Sequence, residues 1–229
     1  MLSIRDLQQY YGGSHILRGV SIGVRPGEVT AVLGRNGVGK TTLLRCLMGL
    51  VPPRSGHIEW NGRRLDGLPP CERVAQGLAY VPQGREIFPR LTVEENLRVG
   101  AASRRNDAIP GYLHELFPIL SDMKGRRGGD LSGGQQQQLA IGRALMSQPK
   151  LLILDEPTEG IQPSIIAEIG RIVVKLAKEQ GLAILLVEQY YDFAKRVADC
   201  YAVMSRGEII ASGPASEMDD RNVRALIAV

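Results

Sequence analysis

Gly34-Arg-Asn-Gly-Val-Gly-Lys-Thr41 is the stretch from which the rest of the chain can be read. It fits G-x-x-x-x-G-K-[ST] at every fixed position: Gly34, Gly39, Lys40 and Thr41. The run before it, Glu28-Val-Thr-Ala-Val-Leu33, is short, aliphatic and β-branched, as a buried strand is. The run after it, Thr42-Leu-Leu-Arg-Cys-Leu-Met48, carries its apolar residues at helical spacing. Strand, glycine loop and helix form the context in which this motif holds phosphate.

The residue types give the reason. Gly34, Gly37 and Gly39 let the backbone curl so that successive N–H groups, through Arg35, Asn36, Val38 and Thr42, converge on one point. The positive end of the following helix adds to that field. Lys40 reaches the terminal phosphates as a point charge, and the Thr41 hydroxyl is of the type that coordinates Mg²⁺. The motif alone says nucleotide phosphates and no more.

Composition sets the frame around it. The 229 residues suffice for one large domain, and a hydrophobic content of 44% supports a sizeable core. The net charge of +4 is modest, and no block of like charge forms a basic tail that would signal nucleic acid. Arg104-Arg105 and Arg126-Arg127 read as isolated, solvated pairs. Cys46, Cys71 and Cys200 are odd in number and lack metal-ligand spacing, which suits a reducing compartment. The first residues, MLSIRDLQQYYGG, lack an apolar signal core, and no apolar run approaches the roughly 20 residues of a membrane span. The expectation is a soluble chain, or one held at a membrane through a partner.

Working outward, the pattern predicts strands at 2–7, 19–24 and 28–33 and a hairpin around Asn61-Gly62. A short helix at 69–77 and a strand at 78–81 follow. Strand signals fade over 84–130, where Thr92-Val-Glu-Glu95 predicts a capped helix start and 113–120 a second helix. From 131 the α/β alternation returns. Helices are predicted at 135–146, 163–180 and 192–198, strands at 151–154 and 182–187, and a hairpin around Arg206-Gly207. Such alternation means a mostly parallel sheet covered on both faces. The organisation expected is one domain over 1–229, with 1–83 and 131–229 forming the core and β subdomain and 84–130 a helical insertion.

Two further motifs carry chemistry. Leu151-Leu-Ile-Leu-Asp-Glu156 is an apolar strand ending in two carboxylates, and a buried strand carries charge only where a partner exists. Beside a phosphate loop, Asp155 is placed to hold Mg²⁺ through water and Glu156 is the candidate general base for the attacking water. Leu131-Ser-Gly-Gly-Gln135 offers the Ser132 hydroxyl and the open backbone of Gly133, Gly134 and Gln135 at a helix start. It reads as a second phosphate-binding device, facing the nucleotide of a second copy, and equally as a glycine turn with Ser132 as helix cap.

Taken together these motifs resemble the ATP-binding-cassette ATPases, the nucleotide-binding subunits of transporters, over essentially the whole chain. The fold implied is α/β: a P-loop NTPase core with a mostly parallel sheet, an N-terminal antiparallel β subdomain and a helical insertion subdomain. The resemblance implies ATP and Mg²⁺ as ligands. It implies a head-to-tail dimer with a second cassette (a copy or a paralogue), transmembrane permease subunits, an indirect link to a solute-binding protein, and a place on the cytoplasmic face of the membrane. It makes Gln83, in Tyr80-Val-Pro-Gln83, the glutamine that senses γ-phosphate and Mg²⁺. It makes Tyr11 the aromatic that stacks on adenine, with Tyr10 the alternative and a structural tyrosine also open.

Two positions depart from the commonest family pattern. Gln189 stands where a switch histidine is usual; it can donate a hydrogen bond to a phosphate but cannot relay a proton. Gln162 stands where many relatives have aspartate. Glu-Gly-Ile-Gln-Pro with Val-Glu-Gln is similar to the branched-chain amino acid group of importers. Within it, residues 10–17, 34–41 and 187–194 look most like the smaller ATPase subunit of urea importers. Urea is the expected cargo and a branched-chain amino acid the alternative. A soluble cassette acting on ribosomes or DNA is the competing class, disfavoured by a single cassette without sustained heptads.

Overall fold

The computed structural model describes residues 1–102, 104 and 106–228, so Arg105 of the predicted surface pair lies outside it. The chain opens with two long strands, β1 (Leu2–Tyr11) and β2 (Ser14–Val24), joined by a tight turn at Gly12-Gly13. The phosphate-loop unit follows as β3 (Val29–Leu33) and α1 (Lys40–Leu47). Then come β4 (Ser55–Trp60), β5 (Arg63–Arg64), α2 (Pro70–Ala75) and β6 (Leu78–Val81). Helices α3 (Val93–Val99), α4 (Gly111–Leu116) and α5 (Pro118–Asp122) occupy the stretch where strand signals fade. The remainder alternates: α6 (Gly133–Leu145), β7 (Leu151–Asp155), α7 (Pro163–Gln180), β8 (Ala183–Glu188), α8 (Tyr191–Val197), β9 (Cys200–Ser205), β10 (Glu208–Pro214) and α9 (Val223–Ala228).

Two sheets result. One is antiparallel, in the order β2-β1-β4-β5; the other runs β10-β9-β3-β8-β7-β6 and is parallel except for β10. The central strands are apolar on both faces, as a sheet covered on both sides requires. Alternate residues divide between two cores. Leu152 and Leu154 of β7, with Ile184 and Leu186 of β8, pack among residues of α6 and α7. Leu151, Ile153, Leu185 and Val187 face Leu43 and Leu44 of α1 and the inner face of the antiparallel sheet. The phosphate loop is thereby wedged between the sheets.

Local signals explain the boundaries. Asn61 (φ 50°) and Gly62 (φ 81°) both sit in the left-handed region, the turn an Asn-Gly pair makes between β4 and β5. Thr92 caps α3 with a full capping box: its side chain accepts from Glu95 N–H while the Glu95 carboxylate accepts from Thr92 N–H. The helix expected over 113–120 is instead two short helices, broken at Phe117 (φ −132°, ψ 70°). Pro118 is the cause, because its ring disfavours helical geometry in the residue before it. Arg104 also departs from expectation. It is half-buried and donates to the Met146 carbonyl, a free acceptor at the C-terminal end of α6. Arg126 and Arg127 are exposed. Among the described residues no helix is long and apolar enough to cross a membrane.

Candidate functional site

The site begins at the carboxyl end of β3. Gly34 must be glycine: a Cβ there would lie 2.5 Å from the Met204 carbonyl oxygen and 2.9 Å from Val38. Gly37 (φ 83°) and Gly39 (φ 115°) bend the loop back, and Gly39 caps α1 in a left-handed conformation closed to most side chains. A cleft of about 430 Å³ opens above the loop. Asn36, Gly37, Gly39, Lys40, Thr41 and Thr42 form its floor. Tyr11, Ile16, Gln83 and Glu156 complete its walls. Gly34, Arg35 and Val38 shape the loop from behind: Lys40 Nζ donates to the carbonyls of Gly34 (2.7 Å) and Arg35 (2.9 Å), and Val38 O accepts from Gly207 N–H (2.9 Å).

Of the two tyrosines, Tyr11 lines this cleft. Tyr10 points elsewhere and stacks on His15 with ring centroids 4.1 Å apart and planes 7° from parallel. That favours Tyr11 over Tyr10 for an adenine ring. Ile16, absent from the sequence-based list, supplies an apolar wall nearby; no motif marks it.

Glu156 is buried and sits in the left-handed region (φ 47°), which costs a non-glycine residue about 1–2 kcal/mol. Its N–H bonds to Val187 O at 2.9 Å, and its carboxylate pairs with Lys40 Nζ at 3.0 Å. Gln83 Nε2 donates to Glu156 at 3.3 Å and to Glu159 at 3.0 Å. The turn carrying Gln83 is itself pinned, since Arg85 donates to Glu159 O and Arg143 of α6 donates to Arg85 O.

Asp155 closes a second cavity of about 350 Å³, shared with Thr41, Arg45, Tyr80 and Gln83. Tyr80 Oη donates to Asp155 Oδ2 at 3.1 Å. Asp155 Oδ1 is buried and has no hydrogen-bond partner. Burial pushes the Asp155 carboxyl above the ordinary carboxylate range, against the Tyr80 hydrogen bond that lowers it. Burial, joined by the charge of Asp155, pushes the Tyr80 phenol upward as well. An orphaned carboxylate oxygen and a threonine hydroxyl are hard oxygen donors of the kind Mg²⁺ takes, in a cavity that Arg45 and Arg143 also line. The residues fit the ion.

The signature turn, Leu131-Ser-Gly-Gly-Gln135, lies apart. Ser132 caps α6 reciprocally with Gln135, and Gly133, Gly134 and Gln135 form its first turn. None of these four residues lines either cavity. Gly134 is close-packed, with a Cβ there lying 3.0 Å from Ile165. Gln189 is exposed and follows β8, also outside both cavities.

Sequence reasoning passed over Tyr80, Thr158 and Glu188. Glu188 ends β8 at 1% exposure, and its carboxylate takes bonds from Thr158, Gln189 and Tyr190. The signal was available: a carboxylate closing an apolar strand is the argument that singles out Asp155.

Known proteins resemble this chain in sequence and fold. Residues 17–159 match the family model described as ABC transporter. The chain is 44% identical to the high-affinity branched-chain amino acid transport ATP-binding protein BraG of Pseudomonas aeruginosa, covering 92% of this chain and 91% of that one. It is 36% identical to the probable branched-chain amino acid transport ATP-binding protein LivF of Archaeoglobus fulgidus, over 95% and 94%. The lipopolysaccharide export system ATP-binding protein LptB of Escherichia coli K12 is 32% identical over 97% and 95%. Among solved structures, a nucleotide-free ATP-binding cassette from an ABC transporter superposes with a TM-score of 0.85 at 30% identity, covering 98% of this chain and 95% of that one. The ADP conformation of another such cassette gives 0.83 at 29%, over 99% and 97%. A phosphate loop under a tyrosine, paired carboxylates at the end of β7 and relatives matched nearly end to end leave one conclusion: the chain belongs to the ABC transporter family and is an ATP-binding, ATP-hydrolysing subunit of that family.

Proposed function

We propose that this subunit powers import of a branched-chain amino acid. The observation that carries the cargo is the 44% identity to BraG over nine-tenths of both chains, against 32% to the export subunit LptB. Urea, expected from residues 10–17, 34–41 and 187–194, is the second reading; it rests on the resemblance of those three segments, and the relatives favour the amino acid.

In the proposed cycle ATP enters the cleft with adenine against Tyr11 and its phosphates over residues 34–42. Lys40 leaves Glu156 for the phosphates, exchanging one anionic partner for a better one. Thr41, Gln83 and Asp155 would hold Mg²⁺, which when bound offsets the charge of the phosphates. Freed from Lys40, Glu156 orients the attacking water and takes its proton. Gln189 positions the γ-phosphate by hydrogen bonding without carrying charge. Because Ser132 to Gln135 lie outside the cleft, they serve the nucleotide of a second cassette in a head-to-tail dimer. Permease subunits would hold that dimer at the cytoplasmic face of the membrane and pass on the solute delivered by a binding protein. Gln83 to Phe88 and the helices of 84–130 would carry closure to the permease.

The test is uptake of labelled leucine and labelled urea, at micromolar levels, in source cells carrying Lys40→Ala, with urease activity measured separately. Loss of leucine uptake alone is the expected result. Loss of urea uptake alone would overturn the amino-acid reading in favour of urea, and loss of neither would discard both cargoes.

A further inference from the structure

We infer that Glu188 is a positioning residue for hydrolysis: its carboxylate clamps the loop carrying Glu156 to the loop carrying Gln189. The inference rests on the roles given above to those two residues. The parallel ladder between β7 and β8 ends at the pair Asp155–Val187. Beyond it one backbone bond, Glu156 N–H to Val187 O at 2.9 Å, still joins them before they part into separate loops, and each loop carries one of the side chains that must meet at the γ-phosphate.

Glu188 spans that gap with one oxygen for each side. Oε1 accepts from Thr158 Oγ1 (2.7 Å) and Thr158 N–H (3.3 Å). Oε2 accepts from the N–H groups of Gln189 and Tyr190, both at 3.1 Å. The Glu188 carbonyl meanwhile accepts from Gly34 N–H at 3.2 Å, so the same residue touches the start of the phosphate loop. Thr158 stands two residues from Glu156, with Pro157 between them restricting the chain.

The chemistry of the bridge is specific to a carboxylate. Four donors converge on two oxygens, and only an ionised carboxyl accepts on both without donating. A carboxylate at 1% exposure is costly to bury, and these four bonds offset the cost. Nothing in the strand itself needs the charge, since apolar residues fill the other positions of β8. What the charge secures is the relative position of two loops, on which in-line attack depends.

The test uses the full chain with ATP turnover, KM for ATP and thermal denaturation measured together, and kcat counted per nucleotide-binding site. Glu188→Gln is close to isosteric. It keeps an acceptor for Thr158 but presents an NH₂ to the N–H groups of Gln189 and Tyr190. The expected result is a fall in kcat of about ten- to a hundredfold, as small misplacements of reacting groups produce. KM should stay within about twofold, since ground-state binding is untouched. Thr158→Val should fall likewise, and Thr158→Ser, which restores the hydroxyl, should recover turnover. A folded Glu188→Gln protein with normal kcat would overturn the inference, as would Thr158→Ser remaining as slow as Thr158→Val. If Glu188→Gln does not fold, the two Thr158 variants decide. Glu156→Gln, run in parallel, separates the two levels: normal turnover there removes Glu156 as base, whereas a dead Glu156→Gln beside a normal Glu188→Gln removes the clamp alone.

Discussion

Lys40 and Glu156 hold one another at 3.0 Å with side chains 3% and 5% exposed, so each nearly buried charge depends on the other. Removing one partner of such a pair leaves an uncompensated charge, at a cost of about 3–5 kcal/mol. Glu156→Gln should therefore behave in two opposite ways. Without nucleotide it should melt earlier than the natural protein, because the buried Lys40 charge loses its anionic partner and keeps only neutral carbonyl acceptors, those of Gly34 and Arg35 among them. With ATP it should bind more tightly, because phosphate no longer competes with a carboxylate for Lys40. Turnover should drop by about 10²–10⁴, the usual contribution of a general base. Melting curves with and without ATP, and titration with a fluorescent ATP analogue, check all three; unchanged affinity would mean that the ion pair does not oppose binding. The residues named from the sequence differ in how legible they were. Lys40, Thr41 and Asp155 follow from motif and strand context. The pairing of Lys40 with Glu156 does not, because 116 positions of chain separate motifs that only the β3–β8–β7 strand order brings together. Glu188 was legible in principle, by the same logic as Asp155. Tyr80 was not, since an aromatic in a short apolar strand looks like ordinary core.

At the scale of elements, sequence signals worked where they were local and failed where tertiary packing ruled. Helix α7 runs from Pro163 to Gln180 as predicted, because Pro at its first turn and Gly181 (φ 68°) beyond its end are self-contained stop signals. Strands β1 and β2 extend well past their predicted limits: polar Gln8 and Gln9 join the ladder because strands pair there, whatever their propensity. The helical stretch shows both behaviours. Its break at Phe117-Pro118 was written in the sequence, yet the docking of Arg104 onto the end of α6 required the fold. Helix α3 offers a measurable case. Its seven residues are too few to hold a helix by propensity alone, so packing of Val93 and Leu97 and the Thr92–Glu95 capping box must sustain it. Thr92→Ala should lose about 0.5–2 kcal/mol of stability, read as a lower urea midpoint at unchanged slope. ATP turnover of the folded fraction should persist, because Thr92 lies outside both cavities. A change in slope instead would mean that the variant no longer unfolds in two states or that the compactness of one state has changed.

At the scale of the whole molecule, the phosphate loop and the Ser132 to Gln135 turn lie on different surfaces of the chain. The cleft holds the phosphate loop, Tyr11, Gln83 and Glu156, while Ser132 to Gln135 cap α6 outside it. If two chains pair head to tail, each site combines the phosphate loop of one with the signature turn of the other, and defects on different surfaces can complement. Lys40→Ala spoils the loop and leaves the signature; Ser132→Arg spoils the signature and leaves the loop. Each variant alone should be inactive, since every site then contains one defect. In a mixed dimer one site joins both defects and the other joins two sound halves. Random pairing makes about half the dimers mixed, each with one sound site of two, so an equal mixture should recover about a quarter of the natural turnover. The measurement is ATPase activity of the mixture against each variant and the natural chain at the same total concentration. A mixture as inactive as its components, under conditions where the natural chain alone is active, would place the signature turn and the phosphate loop of one chain in the same site. Recovery near a quarter would instead require that a neighbouring cassette completes each nucleotide site, which makes closure of the pair, rather than any motion within one subunit, the event that a permease can sense.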